Sequence, residues 1–142
     1  MATFNKFQGF VGYLGTKAID LNADTLKVYL TNAVPSASLD DVKADLAEIT
    51  MTNEINHGAG GGDTANTYAE ASGTGTTTAT DVTFLASGGT VGPFQYVVLY
   101  DDTVTTPVVD PLIGWWDYGS AVTLNDGESF TVDFTTSSFT IA

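Results

Sequence analysis

Apolar positions along the chain form short runs that alternate with polar positions and end at Gly, Thr, Ser, Asn or Pro. In residues 25–31, Leu26, Val28 and Leu30 occupy every second position, a period that predicts a β-strand with one buried face. Eight further segments have comparable patterns: 48–55, 66–71, 80–86, 94–100, 111–118, 121–124, 128–134 and 138–142. About eight or nine short strands predict a single all-β domain over residues 1–142, either an antiparallel β-sandwich or a jelly-roll-like domain.

The N-terminal segment follows a different period. Its apolar residues recur at the spacing of one helical turn: Phe4, Phe7, Val11, Leu14 and Ala18. This spacing predicts a short helix within residues 3–19, so that residues 1–20 form a helical arm of the domain. A second short helix is predicted in residues 38–46, because Ser38 and Asp41 have the spacing of a capping box.

Two of the predicted strands, 94–100 and 111–118, are apolar on both faces. Such strands are typically covered on both sides, whereas an ordinary two-layer sandwich exposes one side of each sheet. Trp115 and Trp116 are adjacent in the second strand, and neighbouring side chains of a strand point to opposite faces. The alternation therefore predicts that Trp116 enters the core on the face of Leu112, and that Trp115 lies on the opposite face.

The outward faces of these two strands need a cover. The residues predicted to form an interface core on that side are Val97, Leu99, Ile113 and Trp115, joined by Phe4 and Phe7 of the N-terminal arm. Three covers remain open at this point: the arm of the same chain, a second protein molecule, or a sugar stacked on Trp115 or Tyr118. Aromatic and aliphatic residues without charges are typical of interface cores.

The charge of the chain is strongly negative and unevenly distributed. Four lysines and 17 acidic residues give a net charge of −13 at pH 7. All four lysines and four of the acids lie in residues 1–43, whose charges cancel, and the other 13 acids lie after residue 43, where the sequence has no lysine or arginine. Nucleic acids and anionic membranes attract basic surfaces, so neither is an expected partner. We predict that residues 1–43 contribute the docking surface and that the acidic remainder faces solvent.

Residues that could perform chemistry are few. The chain has no cysteine and a single histidine, His57, in the glycine-rich loop 56–63, and neither a nucleophile elbow nor a phosphate-binding loop is present. The pairs Asp40–Asp41 and Asp101–Asp102 are interpreted as solvated turns, with bound calcium as the alternative. We therefore expect no enzyme activity, no cofactor and no metal.

Four segments resemble one family of proteins. They are residues 24–35 (DTLKVYLTNAVP), 92–100 (GPFQYVVLY), 111–119 (PLIGWWDYG) and 127–134 (GESFTVDF). Together they are similar to small structural proteins of tailed double-stranded DNA bacteriophages, and the Gly-Trp-Trp-Asp-Tyr-Gly block is the most specific of them. Residues 50–78 depart from the pattern of the family.

The resemblance implies a virion structural protein, in particular a capsid decoration (cement) protein that bridges subunits of the head and binds the major capsid protein. It would be made in the host cytoplasm and lie on the capsid surface. A homo-oligomer is expected, as a trimer or else a dimer. The alternatives are a tail, baseplate or fibre component, and a carbohydrate-binding module for host attachment. No catalytic residue is implied.

Overall fold

The protein is mostly β in residues 2–135 and 137–142, which the computed structural model describes. The elements, in chain order, are β1 (Asn5–Lys6), α1 (Gln8–Gly15), β2 (Leu26–Thr31), a 3₁₀ turn (Lys43–Asp45), β3 (Gly62–Asp63), β4 (Thr67–Ala71), β5 (Thr74–Thr78), β6 (Val82–Leu85), β7 (Val91–Asp101), β8 (Leu112–Leu124), β9 (Ser129–Val132) and β10 (Ser137–Ile141).

The strands form antiparallel sheets. A five-stranded sheet has the order β1-β8-β7-β2-β3, a three-stranded sheet has the order β10-β5-β4, and β6 pairs with β9. The prediction of an antiparallel, mostly β chain with one short N-terminal helix is confirmed. The long pair β7–β8 lies at the centre of the largest sheet, next to β2.

The predicted and the observed strands differ in several places. Residues 48–55 contain no strand. They form an isolated bridge between Glu54 and Ala86, and the N–H groups of Ile49 and Ile55 donate to the carbonyls of Leu30 in β2 and Leu85 in β6. Residues 111–118 and 121–124 merge into the one long strand β8. Strand β5 was not predicted, because its sequence, Thr-Gly-Thr-Thr-Thr, lacks the large apolar residues that make alternation visible.

Helix α1 is shorter than the periodicity predicts. Residues before it belong to the sheet instead: Asn5 pairs with Trp115 and Lys6 with Gly114. The N–H of Phe7 continues this pairing by donating to the carbonyl of Ile113 at 3.1 Å. Sheet pairing therefore takes the residues that would otherwise have extended the helix at its N-terminus. The second predicted helix, in residues 38–46, is reduced to the 3₁₀ turn.

The five-stranded sheet is buried on both faces. On one face, a large cluster, the main core, joins this sheet to α1 and to the other two sheets; it includes Phe10, Leu26, Val28, Leu30, Phe84, Phe94, Val97, Leu99, Ile113, Trp116, Val132, Phe134 and Phe139. On the opposite face, a smaller cluster, the second core, contains Phe7, Tyr29, Leu46, Val98, Tyr100 and Leu112. Strand β2 thus has two buried faces, and the prediction of only one is wrong, since Tyr29 is fully buried.

A β-bulge in β8 reverses the predicted faces of several residues. Leu99 pairs with Gly114 while Tyr100 pairs with Leu112, so Ile113 is an extra residue on β8. An extra residue shifts the alternation by one and moves each following side chain to the other face. As a result Ile113 lies with Trp116 in the main core, and Leu112 lies in the second core. The predicted grouping of Leu112 with Trp116 is wrong for this reason.

Candidate functional site

The residues predicted to form an intermolecular interface lie mostly inside the chain. Phe7, Val97, Leu99 and Ile113 are at most 5% exposed, and they are divided between the two cores. The prediction that these four residues lie at an intermolecular surface is therefore wrong, because other parts of the same chain cover them. Trp115 and Phe4 are only partly buried.

Trp115 is covered by the N-terminal arm of its own chain. Its ring lies 4.6 Å from that of Phe7, centroid to centroid, and packs on the second core. On the other face of the sheet, the Phe4 ring lies 5.3 Å from that of Trp116 and 4.8 Å from that of Phe139. The arm thus contributes Phe7 to one side of the sheet and Phe4 and Phe10 to the other, and both tryptophans pack against it.

The largest exposed aliphatic side chains of residues 1–43 lie on two elements that touch each other. Val11 is on α1, and Val34 and Leu39 are on the loop 34–41, with exposed fractions of 57%, 75% and 80%. We call these three residues the N-terminal face. The N–H of Gln8 at the start of α1 donates to the carbonyl of Ala37 in the loop at 2.9 Å.

A second contact fixes the loop to the helix. The Tyr13 hydroxyl of α1 donates to a carboxylate oxygen of Asp41, and this hydrogen bond, with lesser contributions from burial and from nearby acids, raises the pKa of Tyr13 to about 12. The tyrosine therefore stays protonated and able to donate throughout the physiological pH range.

Two of the four lysines form ion pairs within the chain. Lys27 Nζ lies 2.9 Å from Asp102, and Lys43 Nζ lies 3.3 Å from Glu48. Lys43 also lies over the Tyr29 ring, 4.7 Å from its centroid, an arrangement that favours the cation. Lys6 and Lys17 are exposed. The partners in the two ion pairs, Asp102 and Glu48, belong to residues 44–142, so lysines of the neutral segment neutralise two of the later acids.

A groove of about 360 Å³ lies between β8 and β9. It is lined by Ala2, Val97, Trp116, Tyr118, Ser129, Phe130, Thr131, Val132 and Asp133. The pattern had suggested Tyr118 as a sugar-stacking residue, and it is 57% exposed here. The polar residues of the groove were not singled out from the sequence, although Ser129, Thr131 and Asp133 occupy alternate positions and so share one face of an extended segment.

The loop that follows residue 53 is organised by a buried carboxylate. Glu54, 4% exposed, accepts backbone N–H hydrogen bonds from Asn56 (2.9 Å), His57 (2.7 Å), Gly58 (2.7 Å) and Leu85 (3.0 Å). Burial acts to raise the pKa of Glu54, but the four donors outweigh burial and lower the pKa below its ordinary value. The exposed His57 ring has its Nε2 3.0 Å from the carbonyl oxygen of Thr83. These contacts connect the loop to β6 and are structural in character.

Replacing Glu54 with Gln tests this arrangement. The amide group accepts through one atom only, so some of the donors lose their partner, and we expect the free energy of unfolding to fall by about 1–3 kcal/mol at pH 7. Urea unfolding followed by circular dichroism measures the change. Glu70→Gln is the matched control, because Glu70 is exposed and accepts from Gly73. Equal stability of both variants would contradict the role assigned to Glu54.

The acid pairs do not converge on a common point. Asp40 accepts from the Ser36 N–H at 2.7 Å, whereas Asp41 accepts from Tyr13. Within residues 2–135 and 137–142, no group of three or more histidine and acidic side chains is placed as metal ligands would be.

Asp101 is the one member of these pairs that is fully buried, so its interpretation as part of a solvated turn is wrong. Its Oδ1 accepts from the N–H groups of Thr103 (2.9 Å) and Val104 (3.3 Å), while Oδ2 has no hydrogen-bond partner among the described residues. Burial, and then the neighbouring Asp24 carboxyl, raise the pKa of Asp101 to about 7. Neighbouring carboxyl groups favour a state in which one of them holds a proton.

The comparisons with known proteins add no relative. No protein-family model matches the chain, and no curated protein or solved structure matches it. In the part of the chain that the structure describes, no helix has the length and apolar character needed to cross a membrane.

Proposed function

We propose that the protein is a non-enzymatic structural component of a bacteriophage virion, in particular a capsid decoration protein that binds the major capsid protein and bridges its subunits. The observation that carries this proposal is the position of the N-terminal face. Val11, Val34 and Leu39 are exposed apolar side chains within the only segment of the chain whose charges cancel. The similarity of the four sequence segments to phage structural proteins supplies the class of partner.

Charge explains why this face is suited to docking. Residues 44–142 carry 13 acids and no lysine or arginine, so bringing that surface against another protein requires desolvation of many carboxylates or a strongly basic partner. The N-terminal face avoids this cost, and its apolar residues gain free energy when they are removed from water. We infer that the N-terminal face meets the capsid and that the acidic remainder faces outward.

The fold and the assembly state belong to the same proposal. The main core joins the five-stranded sheet to strands of both other sheets, which supports a β-sandwich or jelly-roll-like arrangement of layers. We propose that the protein assembles as a cyclic homo-oligomer, a trimer in preference to a dimer. Light scattering coupled to size-exclusion chromatography measures the number of subunits.

Point substitutions test the docking face better than truncation. Residues 1–20 include Phe7, Phe10 and Ile19, which are buried, so deleting the segment would damage both cores. Leu39→Asp instead changes a side chain that is 80% exposed, and it places a charge in the proposed interface. We expect the affinity for shells that lack the protein to fall by about tenfold or more, equivalent to about 1.4 kcal/mol, in a co-sedimentation assay.

The matched control is Val109→Asp, which introduces the same charge at a residue that is 58% exposed and lies outside the N-terminal face. It should retain the wild-type affinity for shells, and both variants should retain the wild-type melting temperature. Equal losses of affinity in the two variants would contradict the assignment of the face.

Immunogold labelling and a count of copies per virion distinguish the two possible locations. A high copy number on heads supports decoration, and a few copies at the tail support the alternative of a tail component.

A further inference from the structure

The groove between β8 and β9 presents an aromatic ring held in a fixed orientation. Tyr118 is 57% exposed, and its ring contacts that of Phe130 edge to face, with 5.4 Å between the centroids. Phe130 in turn contacts the buried Phe94 edge to face at 4.9 Å. A chain of aromatic contacts thus connects an exposed ring to the main core, so that little conformational freedom remains to be lost on binding.

Polar residues also line this groove. Ser129, Thr131 and Asp133 line the same groove and are exposed. Asp133 Oδ1 accepts from the Thr135 N–H at 2.8 Å, and among the described residues no hydrogen bond to its Oδ2 is formed. Thr131 Oγ1 lies 2.9 Å from Thr83 Oγ1, which fixes its orientation. The lining of the groove therefore combines a carboxylate and hydroxyl groups with an exposed aromatic ring.

This mixture favours a ligand that is itself both apolar and rich in hydroxyl groups. An entirely apolar partner would remove Asp133 and the hydroxyls from water without giving them hydrogen bonds, which is costly. An anionic ligand is disfavoured as well, because Asp133 is the charged group of the groove lining and no lysine or arginine is among the lining residues. The volume of about 360 Å³ lies at the lower end of the range for small-molecule sites.

We propose that this groove is a binding site for a neutral saccharide. A sugar ring would place its C–H face on Tyr118, and its hydroxyl groups would donate to the carboxylate of Asp133 and exchange hydrogen bonds with Ser129 and Thr131. The groove has room for about one or two sugar rings. This site lies outside the N-terminal face and does not depend on where the protein sits in a virion.

Tryptophan fluorescence provides a local readout. Trp116 lines the groove, whereas Trp115 belongs to the opposite side of the sheet. In a Trp115→Phe background the emission therefore reports on the groove alone. The probes are maltose, lactose and N,N′-diacetylchitobiose at up to about 10 mM, with glucose 6-phosphate as the anionic control and an array of immobilised neutral glycans in parallel. Binding of a free disaccharide would indicate a small soluble sugar as the ligand, whereas binding to immobilised glycans alone would indicate a surface polysaccharide.

We expect at least one neutral glycan to bind saturably, and glucose 6-phosphate not to bind. Tyr118→Ala should weaken binding by about tenfold or more, Asp133→Asn should weaken it severalfold, and Tyr118→Phe should retain most of the affinity because stacking uses the ring. Since Tyr118 and Asp133 are exposed, the melting temperatures of these variants should equal that of the wild type. The proposal is overturned if no neutral glycan on the array or in solution binds, or if Tyr118→Ala binds with wild-type affinity.

Discussion

Trp116→Ala should leave the chain barely folded. Trp116 is 5% exposed, and its ring contacts Phe4 at 5.3 Å and Phe134 at 5.5 Å in the main core. Truncating a buried tryptophan costs about 3–5 kcal/mol, through lost burial and the cavity that remains. Domains of this size are typically stable by about 5–15 kcal/mol, so this loss removes a large share of the total. Urea unfolding followed by far-ultraviolet circular dichroism measures it.

Trp115→Ala is the internal comparison. Trp115 is partly exposed and packs on Phe7 of the same chain, so we expect a smaller loss, about 1–3 kcal/mol, and an unchanged number of subunits. Trp116→Phe keeps an aromatic ring in the main core. If the alanine variant does not fold, the free energy of unfolding can be measured on this variant instead. A Trp115→Ala protein that melts normally but dissociates into monomers would show that another molecule covers this residue, against the structure described above.

Asp101→Asn should make the protein more stable at pH 8. The wild-type carboxyl is fully buried, has an oxygen without a partner, and lies beside Asp24. Ionising it is therefore unfavourable in the folded state. An asparagine carries no charge and offers an N–H that can donate to Asp24. We expect the free energy of unfolding to rise by about 1–3 kcal/mol at pH 8, the usual cost of leaving a buried polar group without a partner.

The stabilising effect of Asp101→Asn should increase with pH. The folded state binds the proton of Asp101 up to about pH 7, whereas the unfolded chain releases it near 3.8. The contribution of Asp101 to stability is therefore fully present below about pH 4, falls as the pH rises towards 7, and is absent at pH 8. The advantage of Asp101→Asn over the wild type should grow across this window and then level off.

Asp63→Asn controls for the general effect of removing one negative charge. Asp63 is exposed, and its Oδ1 accepts the Ala65 N–H, which an asparagine can also do. Its stability relative to the wild type should change little between pH 4 and pH 8. If Asp101→Asn proves destabilising at pH 8, or if its advantage does not depend on pH, then the carboxyl of Asp101 is ionised and has a partner in the folded state.

The sequence pattern predicted the type of most elements but not the faces of the central strands. Alternation is a local signal, and it identified β2, β7 and the start of β8. The faces depend on register, which the bulge at Ile113 changes by one residue. The adjacent Gly114 is the kind of residue that accompanies bulges, but both the shifted and the unshifted alternation place apolar side chains inward, so the pattern did not locate the bulge.

The proposed interaction surfaces were likewise predicted only in part from the sequence. The charge pattern alone led to residues 1–43 as the proposed docking segment, while the particular residues were chosen from apolar character and proved to be buried. Phe7 and Val97 are as hydrophobic as a contact residue would be, yet long-range packing covers them. Val34 lies in a loop, where periodicity carries no information. Leu39 was assigned to the helix predicted in residues 38–46, which the structure reduces to the 3₁₀ turn Lys43–Asp45. Predicting the groove would have required knowledge of how β8 and β9 are placed relative to each other, which the sequence pattern does not give.

The confinement of all four lysines to residues 1–43 has a consequence for chemical and proteolytic mapping. Trypsin cleaves after lysine and arginine, and the chain has no arginine, so residues 44–142 should remain a single tryptic fragment even when fully unfolded. Amine-reactive cross-linkers are restricted in the same way, with Lys6 and Lys17 as the exposed targets. Such reagents will register neighbours of the N-terminal third alone, and a carboxyl-directed reagent is needed to register neighbours of the rest.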